Sequence, residues 1–212
     1  MVVVVPFRDT PDEAVGRETF GEFLALGPVV DNLSVHPYAQ QNAVNNPLAP
    51  HGPRTYVKGF AYQTMSTEIL DYSLKKFSEY ISRLGEDFVT SALLYEAYPT
   101  SKTCEVSPDA TAYANRGHWY NCAMMIRWND EKHDAWVSEW MKDFVKGVRP
   151  IDNQVAQSRG EKVLEKTGYA NMPLPDSTIR DAFRGNLERM TEVKMKWDHN
   201  GRFNKWFNIS PN

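Results

Sequence analysis

The sequence predicts an α+β fold: an antiparallel sheet with helices packed on one face, followed by a C-terminal helical module. Three observations predict it. Strand-like and helix-like segments alternate along the chain, and the strands are short and half-buried rather than continuously apolar. The run Trp119 to Trp128 alternates cleanly between two faces. Ile179, Phe183, Leu187, Met190, Val193 and Trp197 recur at steps of three and four, which gives a late helix one apolar stripe. With 212 residues, 42% hydrophobic and 12% aromatic, the chain has ample material for a buried core.

Taken in order, Val2 to Val5 read as a core strand that starts abruptly, as if sequence before it lay elsewhere. Thr10-Pro11-Asp12-Glu13 then offers a cap, a proline and an acidic first turn for a helix reaching about Leu26, with Val15, Thr19, Phe23 and Leu26 facing inward. Val29 to Tyr38 is irregular, and residues 39–53, rich in Gln, Asn and Pro, read as a long loop. Arg54 to Ala61 has strand character. Met65, Ile69, Tyr72, Lys76, Tyr80 and Leu84 mark an amphipathic helix stopped at Gly85. Phe88 to Tyr98 reads as a second strand. Trp119 to Trp128 is the clearest strand, with Trp119, Asn121, Ala123, Met125 and Arg127 on one face and Tyr120, Cys122, Met124, Ile126 and Trp128 on the other. Trp136 to Val148 follows as a helix, and 151–167 reads as a polar connection. Ser177 is expected to cap the last helix, which Asp198-His199-Asn200-Gly201 ends. A boundary near residue 150 separates a domain of residues 1–150 from a module of residues 151–212.

A formal charge of −3 without any basic patch argues against nucleic acid. No run is long and apolar enough for a signal peptide or membrane span. The two cysteines, Cys104 and Cys122, are expected as buried thiols rather than a disulfide. Five histidines with none at three- or four-residue spacing, and no Cys-x-x-Cys, give no basis for a metal site. No Gly-x-Ser-x-Gly elbow is present. Asn32-Leu33-Ser34 and Asn208-Ile209-Ser210 match the glycosylation sequon, which is too short to decide anything alone.

Several stretches carry a resemblance by their order. They are Pro37-Tyr38 and the Asn-rich loop, Thr55-Tyr56-Val57-Lys58-Gly59, the segment from Ala110 to Gly117, the Trp119 to Trp128 strand, and Gly168-Tyr169-Ala170-Asn171. Asn186 with Arg189, Val193-Lys194-x-Lys196, Trp197-Asp198 and a terminal Phe203 to Pro211 pattern complete them. The chain thereby resembles the C-terminal half, substrate domain plus berberine-type module, of the berberine-bridge-enzyme-like FAD-linked oxidoreductases, of the type often found in fungal secondary metabolism.

That resemblance implies a substrate-binding sheet set against the isoalloxazine ring of FAD, oxidation of an alcohol, amine or phenol by hydride transfer, and reoxidation by dioxygen. It implies that Tyr169 is catalytic and that Tyr169, Asn171 and Asn208 approach the cofactor. Trp119, Asn121, Ala123, Met125, Arg116 and Met172 would line the pocket of an apolar or aromatic natural product. Read alone, Tyr169 packs the module on the sheet with its hydroxyl satisfied by backbone, and Arg116 is as readily a rim salt bridge as a ligand contact.

The chain departs from the family where a base is expected. Met172 stands where plant members commonly carry tyrosine, and Ala123 where they often carry Gln or Glu, and neither side chain accepts a proton. Tyr169, Tyr120, Glu96 and His118 are the substitutes. No glycine-rich phosphate loop follows a strand, so FAD is expected to be held by an N-terminal half or partner chain. The alternatives are a flavin-independent pericyclase or isomerase using the same apolar pocket, and a non-catalytic fragment or partner subunit.

Overall fold

Hydrogen bonding between β-branched and aromatic runs builds one antiparallel sheet. In the computed structural model, β1 (Arg54–Tyr62), β2 (Ala92–Tyr95) and β3 (Tyr120–Trp128) lie in the order β1-β3-β2. The model describes residues 2–48, 51–165, 168–174 and 177–209. These divide into two units, one ending at His51 and one beginning at Gly52.

The register fixes which side chains share a face, because residues directly opposite in an antiparallel pair point the same way. Val57, Met125 and Ala92 form one row, and Gly59, Ala123 and Leu94 the next. Ala61 and Asn121 follow. This face carries short side chains at Gly59, Ala61, Ala92 and Ala123, flanked by Val57, Met125 and Leu94. On the opposite face Phe60, Tyr62, Cys122, Met124, Ile126 and Trp128 join the hydrophobic core.

Two helices cover that opposite face. The first, α3 (Thr67–Leu84), starts at Ser66, whose side chain accepts the Ile69 N–H, and stops at Gly85 with φ 55. Its Tyr80 is fully buried, donates a 2.7 Å hydrogen bond to the Arg127 carbonyl and stacks on Trp136. The second, α5 (Asp134–Ser158), follows β3 and brings Val137, Trp140, Met141, Phe144 and Val148 into the core. A short α4 (Ser101–Cys104) lies between β2 and β3.

Some sequence expectations are corrected here. Val2 to Val5 form no strand: they are exposed and unpaired with the sheet, since an apolar run needs a hydrogen-bonding neighbour to become a strand. Instead of one helix to Leu26 there are α1 (Glu13–Thr19), capped by Asp12, and α2 (Gly21–Ala25). Phe23 and Leu26 are 48% and 80% exposed rather than inward. Part of the expected loop is a 3-10 helix, Tyr38–Leu48. Ala49 and Pro50 of that loop, and Ser210 and Pro211 of the terminal pattern, lie outside the described residues. The second strand is shorter than expected, with only Phe88 bridging to Trp128 before β2 begins. Cys122 is buried, Cys104 is half-buried, and both are free thiols.

The C-terminal helix is also interrupted. Thr178, not Ser177, is the cap of α6 (Ile179–Phe183), because Asp181 returns its side chain to the Thr178 N–H in a reciprocal capping box. Arg184 then adopts φ 47, and α7 (Leu187–Trp197) restarts after it. The break lets the chain close on residues 108–109: a Cβ on Gly185 would stand 2.8 Å from the Asp109 carboxylate, and Asn186 donates to the Pro108 carbonyl at 2.9 Å. Among the described residues, no helix is long and apolar enough to cross a membrane.

Candidate functional site

The short-side-chain face of the sheet ends in a polar cluster. Trp119 donates its indole N–H to the Asn115 side-chain oxygen at 2.7 Å, Asn115 donates to Asn121 at 3.1 Å, and Asn121 donates to the Tyr98 hydroxyl at 2.8 Å. Trp119, Asn115 and Asn121 are all buried, so this chain of bonds satisfies polar groups that water cannot reach.

The Gly168-Tyr169-Ala170-Asn171 stretch lies over the same face. Met172 N–H donates to the Tyr169 carbonyl at 2.9 Å, which closes a turn. A Cβ on Gly59 would stand 3.0 Å from the Cys122 carbonyl oxygen and 3.1 Å from the Met172 Cβ, so only glycine lets the turn sit this low on the sheet. Asn171 donates from its amide to the Tyr169 hydroxyl at 2.9 Å, and the Tyr169 ring meets Tyr113 edge to face at 6.1 Å. From the tail, the Trp206 indole donates to the Ala170 carbonyl at 2.7 Å.

The structure therefore brings Tyr169, Asn171 and Met172 together with Asn121, Ala123 and Trp119 on one face, with Met125 half-buried farther along it. Asn208 is exposed two residues beyond Trp206. The Arg116 guanidinium stacks on the Tyr113 ring at 5.2 Å, with bonds to the Thr103 carbonyl and Thr111 hydroxyl. The Tyr169 hydroxyl takes its bond from the Asn171 side chain rather than from backbone.

The four substitute bases separate. Tyr120 lies on the opposite face of β3, packed on Tyr62 and Tyr98. His118 is exposed and binds Thr100 at 3.1 Å, beside the Cys104 sulfur at 3.7 Å. Glu96 continues β2, since its N–H donates to the Asn121 carbonyl at 3.0 Å. Burial pushes its carboxyl pKa up, and it acts electrostatically on Tyr98 and Tyr113, whose own pKa values burial also raises. Sequence reasoning did not single out Tyr98, the last residue of its second strand, or Tyr113, which lies in an irregular segment with no period to place it. Among the described residues, no group of His, Cys, Asp and Glu is arranged to hold a metal ion.

This sheet, its helical cover and the overlying turn share their fold with part of berberine bridge enzyme. No protein-family profile matches the chain. It is 27% identical over 223 residues to FAD-linked oxidoreductase pgmH of Aspergillus terreus, covering 97% of this chain and 43% of that protein. Hexose oxidase of Chondrus crispus is 25% identical over 189 residues, covering 82% and 34%. Berberine bridge enzyme of Eschscholzia californica superposes with a TM-score of 0.60 at 16% identity, covering 94% of this chain and 44% of that one. A variant of berberine bridge enzyme gives a TM-score of 0.62 at 15% identity. In fold the chain is similar to part of berberine bridge enzyme, and in sequence it is similar to part of FAD-linked oxidoreductase pgmH and of hexose oxidase. The chain spans less than half the length of the relatives it matches.

The residues present fit part of an FAD. The polar groups of Tyr169 and Asn171 suit a ring edge, whereas Gly59 is buried beneath Met172 and Ala123 is buried beside it, and Val57 is exposed farther along the face. A diphosphate is not provided for. The connections from strand to helix, residues 63–66, 96–100 and 129–133, contain no glycine to let backbone N–H groups wrap a phosphate.

Proposed function

We propose that this chain supplies the substrate-binding face of an FAD-linked oxidoreductase that oxidises an apolar or aromatic natural product. Residues 1–150 act as the substrate-binding part and 151–212 as the C-terminal module, with α5 crossing residue 150 as a continuous helix. The observation that carries the reading is the Tyr169–Met172 turn seated on Gly59, which sets a tyrosine hydroxyl and an amide at the rim of a small-residue face. When bound, the flavin would supply a two-electron acceptor for hydride. Tyr169 and Asn171 would fix the substrate oxygen and the ring edge, Met172 and Ala123 would give apolar contact, and Asn121 and Trp119 would hold the floor in place. The relatives are named as oxidoreductases and an oxidase, and nothing observed favours a flavin-independent catalyst or a non-catalytic role.

The test is a visible spectrum over roughly 350 to 500 nm, where bound isoalloxazine absorbs and protein does not. The purified chain with added FAD is expected to stay nearly colourless, and co-expression with the FAD-binding half of a relative is expected to yield stoichiometric flavin. Flavin uptake should weaken when Tyr169 or Asn171 is replaced by alanine. A folded chain that never takes up flavin, even with the complementary half present, overturns the proposal.

A further inference from the structure

We propose that the cavity at the Tyr62 end of β1, on the helix-covered face of the sheet, is a binding site for a flat aromatic carboxylate. The proposal stands apart from the oxidoreductase reading, which concerns the Tyr169 turn on the other face. The cavity holds about 650 Å³, within the roughly 300–1,000 Å³ usual for small-molecule pockets.

The chain builds one wall of it from the end of α5. Gly160, at φ 71, stops the helix, and the Glu161 N–H reaches back to the Ala156 carbonyl at 2.9 Å, which turns residues 161–164 toward the end of β1. There the Gln63 side chain donates to the Lys162 carbonyl at 2.9 Å and accepts the Leu164 N–H at 3.0 Å. The Thr64 hydroxyl donates to the Glu161 carboxylate at 3.2 Å. These bonds fix the wall before any ligand arrives, so binding does not have to order it.

The floor is aromatic. Tyr62 and Tyr120 are opposite each other in the register and line the cavity with ring centres 5.6 Å apart, and Met65, Ala97 and Leu164 add apolar surface. The rim supplies donors. Arg159 and Lys162 line it, and among the described residues neither charged group has an ion pair or a hydrogen bond, although the Glu68 carboxylate lies within electrostatic reach of Arg159. The Tyr120 hydroxyl is neither buried nor hydrogen-bonded among the described residues. The one carboxylate in the lining, Glu161, is already engaged by Thr64. A ligand therefore meets a guanidinium, an ammonium and a phenol beside two tyrosine rings. An oxyanion answers the first set, since guanidinium and carboxylate pair through two parallel bonds, and a flat ring answers the second. Solvent-exposed ion pairs contribute little alone, so the charge and the ring are needed together.

The full chain, labelled with nitrogen-15, is titrated with 2-naphthoate while its amide shifts are followed. Saturable shifts are expected at Gln63, Met65, Tyr120 and Leu164 and not at Tyr169 to Met172. Arg159→Ala and Tyr120→Phe should each weaken binding by about three- to tenfold. Neither changed group is bonded within the described chain, and circular dichroism checks that both variants fold; Lys162→Gln gives a second reading of the rim. 2-Naphthamide, with the same shape and no charge, should bind about tenfold more weakly, and inorganic phosphate should give no saturable shift at these residues. Equal affinity for naphthoate and naphthamide overturns the carboxylate assignment, and phosphate binding as tightly as naphthoate overturns the aromatic one. Shifts confined to the Tyr169 turn, or none that saturate, overturn the site.

Discussion

Asn121 is the residue on which the polar end of the site depends. Its amide donates to Tyr98 and its oxygen accepts from Asn115, which in turn holds the Trp119 indole. Replacing it with leucine keeps the volume but removes both bonds, leaving the buried Asn115 amide with one fewer partner. The expected loss is about 1–3 kcal/mol, read as a lower urea midpoint with an unchanged slope. Tyr98 should also lose its anchor, which would show as a change in near-ultraviolet circular dichroism. At this scale much of the site was legible. Alternation alone put Trp119, Asn121, Ala123 and Met125 on one face, and the order of short motifs put Tyr169 and Asn171 near it. Alternation carried the second strand through Glu96 but could not show that Arg116 stacks on Tyr113. That stacking depends on where residues 99–118 return to the sheet, and that segment has no period long enough to place them.

Elements show a different limit. The period of Trp136, Trp140, Phe144 and Val148 locates α5, but its last eight residues, Ile151–Ser158, read as a connection because Pro150 and a polar composition hide them. Those residues carry Asp152, which is 1% exposed and accepts from the Gln63 N–H at 3.0 Å and the Thr64 N–H at 3.1 Å. The end of α5 thus satisfies the backbone between β1 and α3, a tertiary use that no local pattern reveals. Asp152→Ala strands two buried donors and should cost about 2–3 kcal/mol, with Asp152→Asn recovering part of it in the same denaturation experiment. The end of α7 gives a pH-dependent counterpart. Asp198 binds the Lys194 ammonium and accepts from the backbone N–H groups of Arg202 and Phe203, and these bonds, the Lys194 bond first, lower its pKa from 3.8 to about 2. A depressed carboxylate contributes stability above its unfolded value and loses it as the pH falls through the folded one. The Phe203 amide should therefore stay protected from hydrogen exchange at neutral pH and lose protection between about pH 4 and 2. In Asp198→Asn the protection should be weak at every pH.

At the scale of the whole chain, the two units differ in what holds them. The core cluster runs from Phe60 to Val148, wholly within the second unit, together with all three strands. Among the first-unit residues whose burial is described none is buried, and Val29 and Leu26 are 96% and 80% exposed. Hydrophobic stabilisation scales with apolar area removed from water, so residues 2–48 contribute little of it within their own unit. A chain trimmed to residues 52–212 is accordingly expected to unfold in one cooperative urea transition, with a stability within about 1 kcal/mol of the full chain. Its slope should fall only modestly, since the slope follows surface exposed on unfolding and the first unit has little hidden surface to expose. A non-cooperative or strongly shifted transition would show that residues before Gly52 take part in the same folding unit. The sequence reading drew no division near residue 51, and it set Val2 to Val5 in a core by composition. Apolar composition permits burial, but the partner surface that completes it must be present to make it happen.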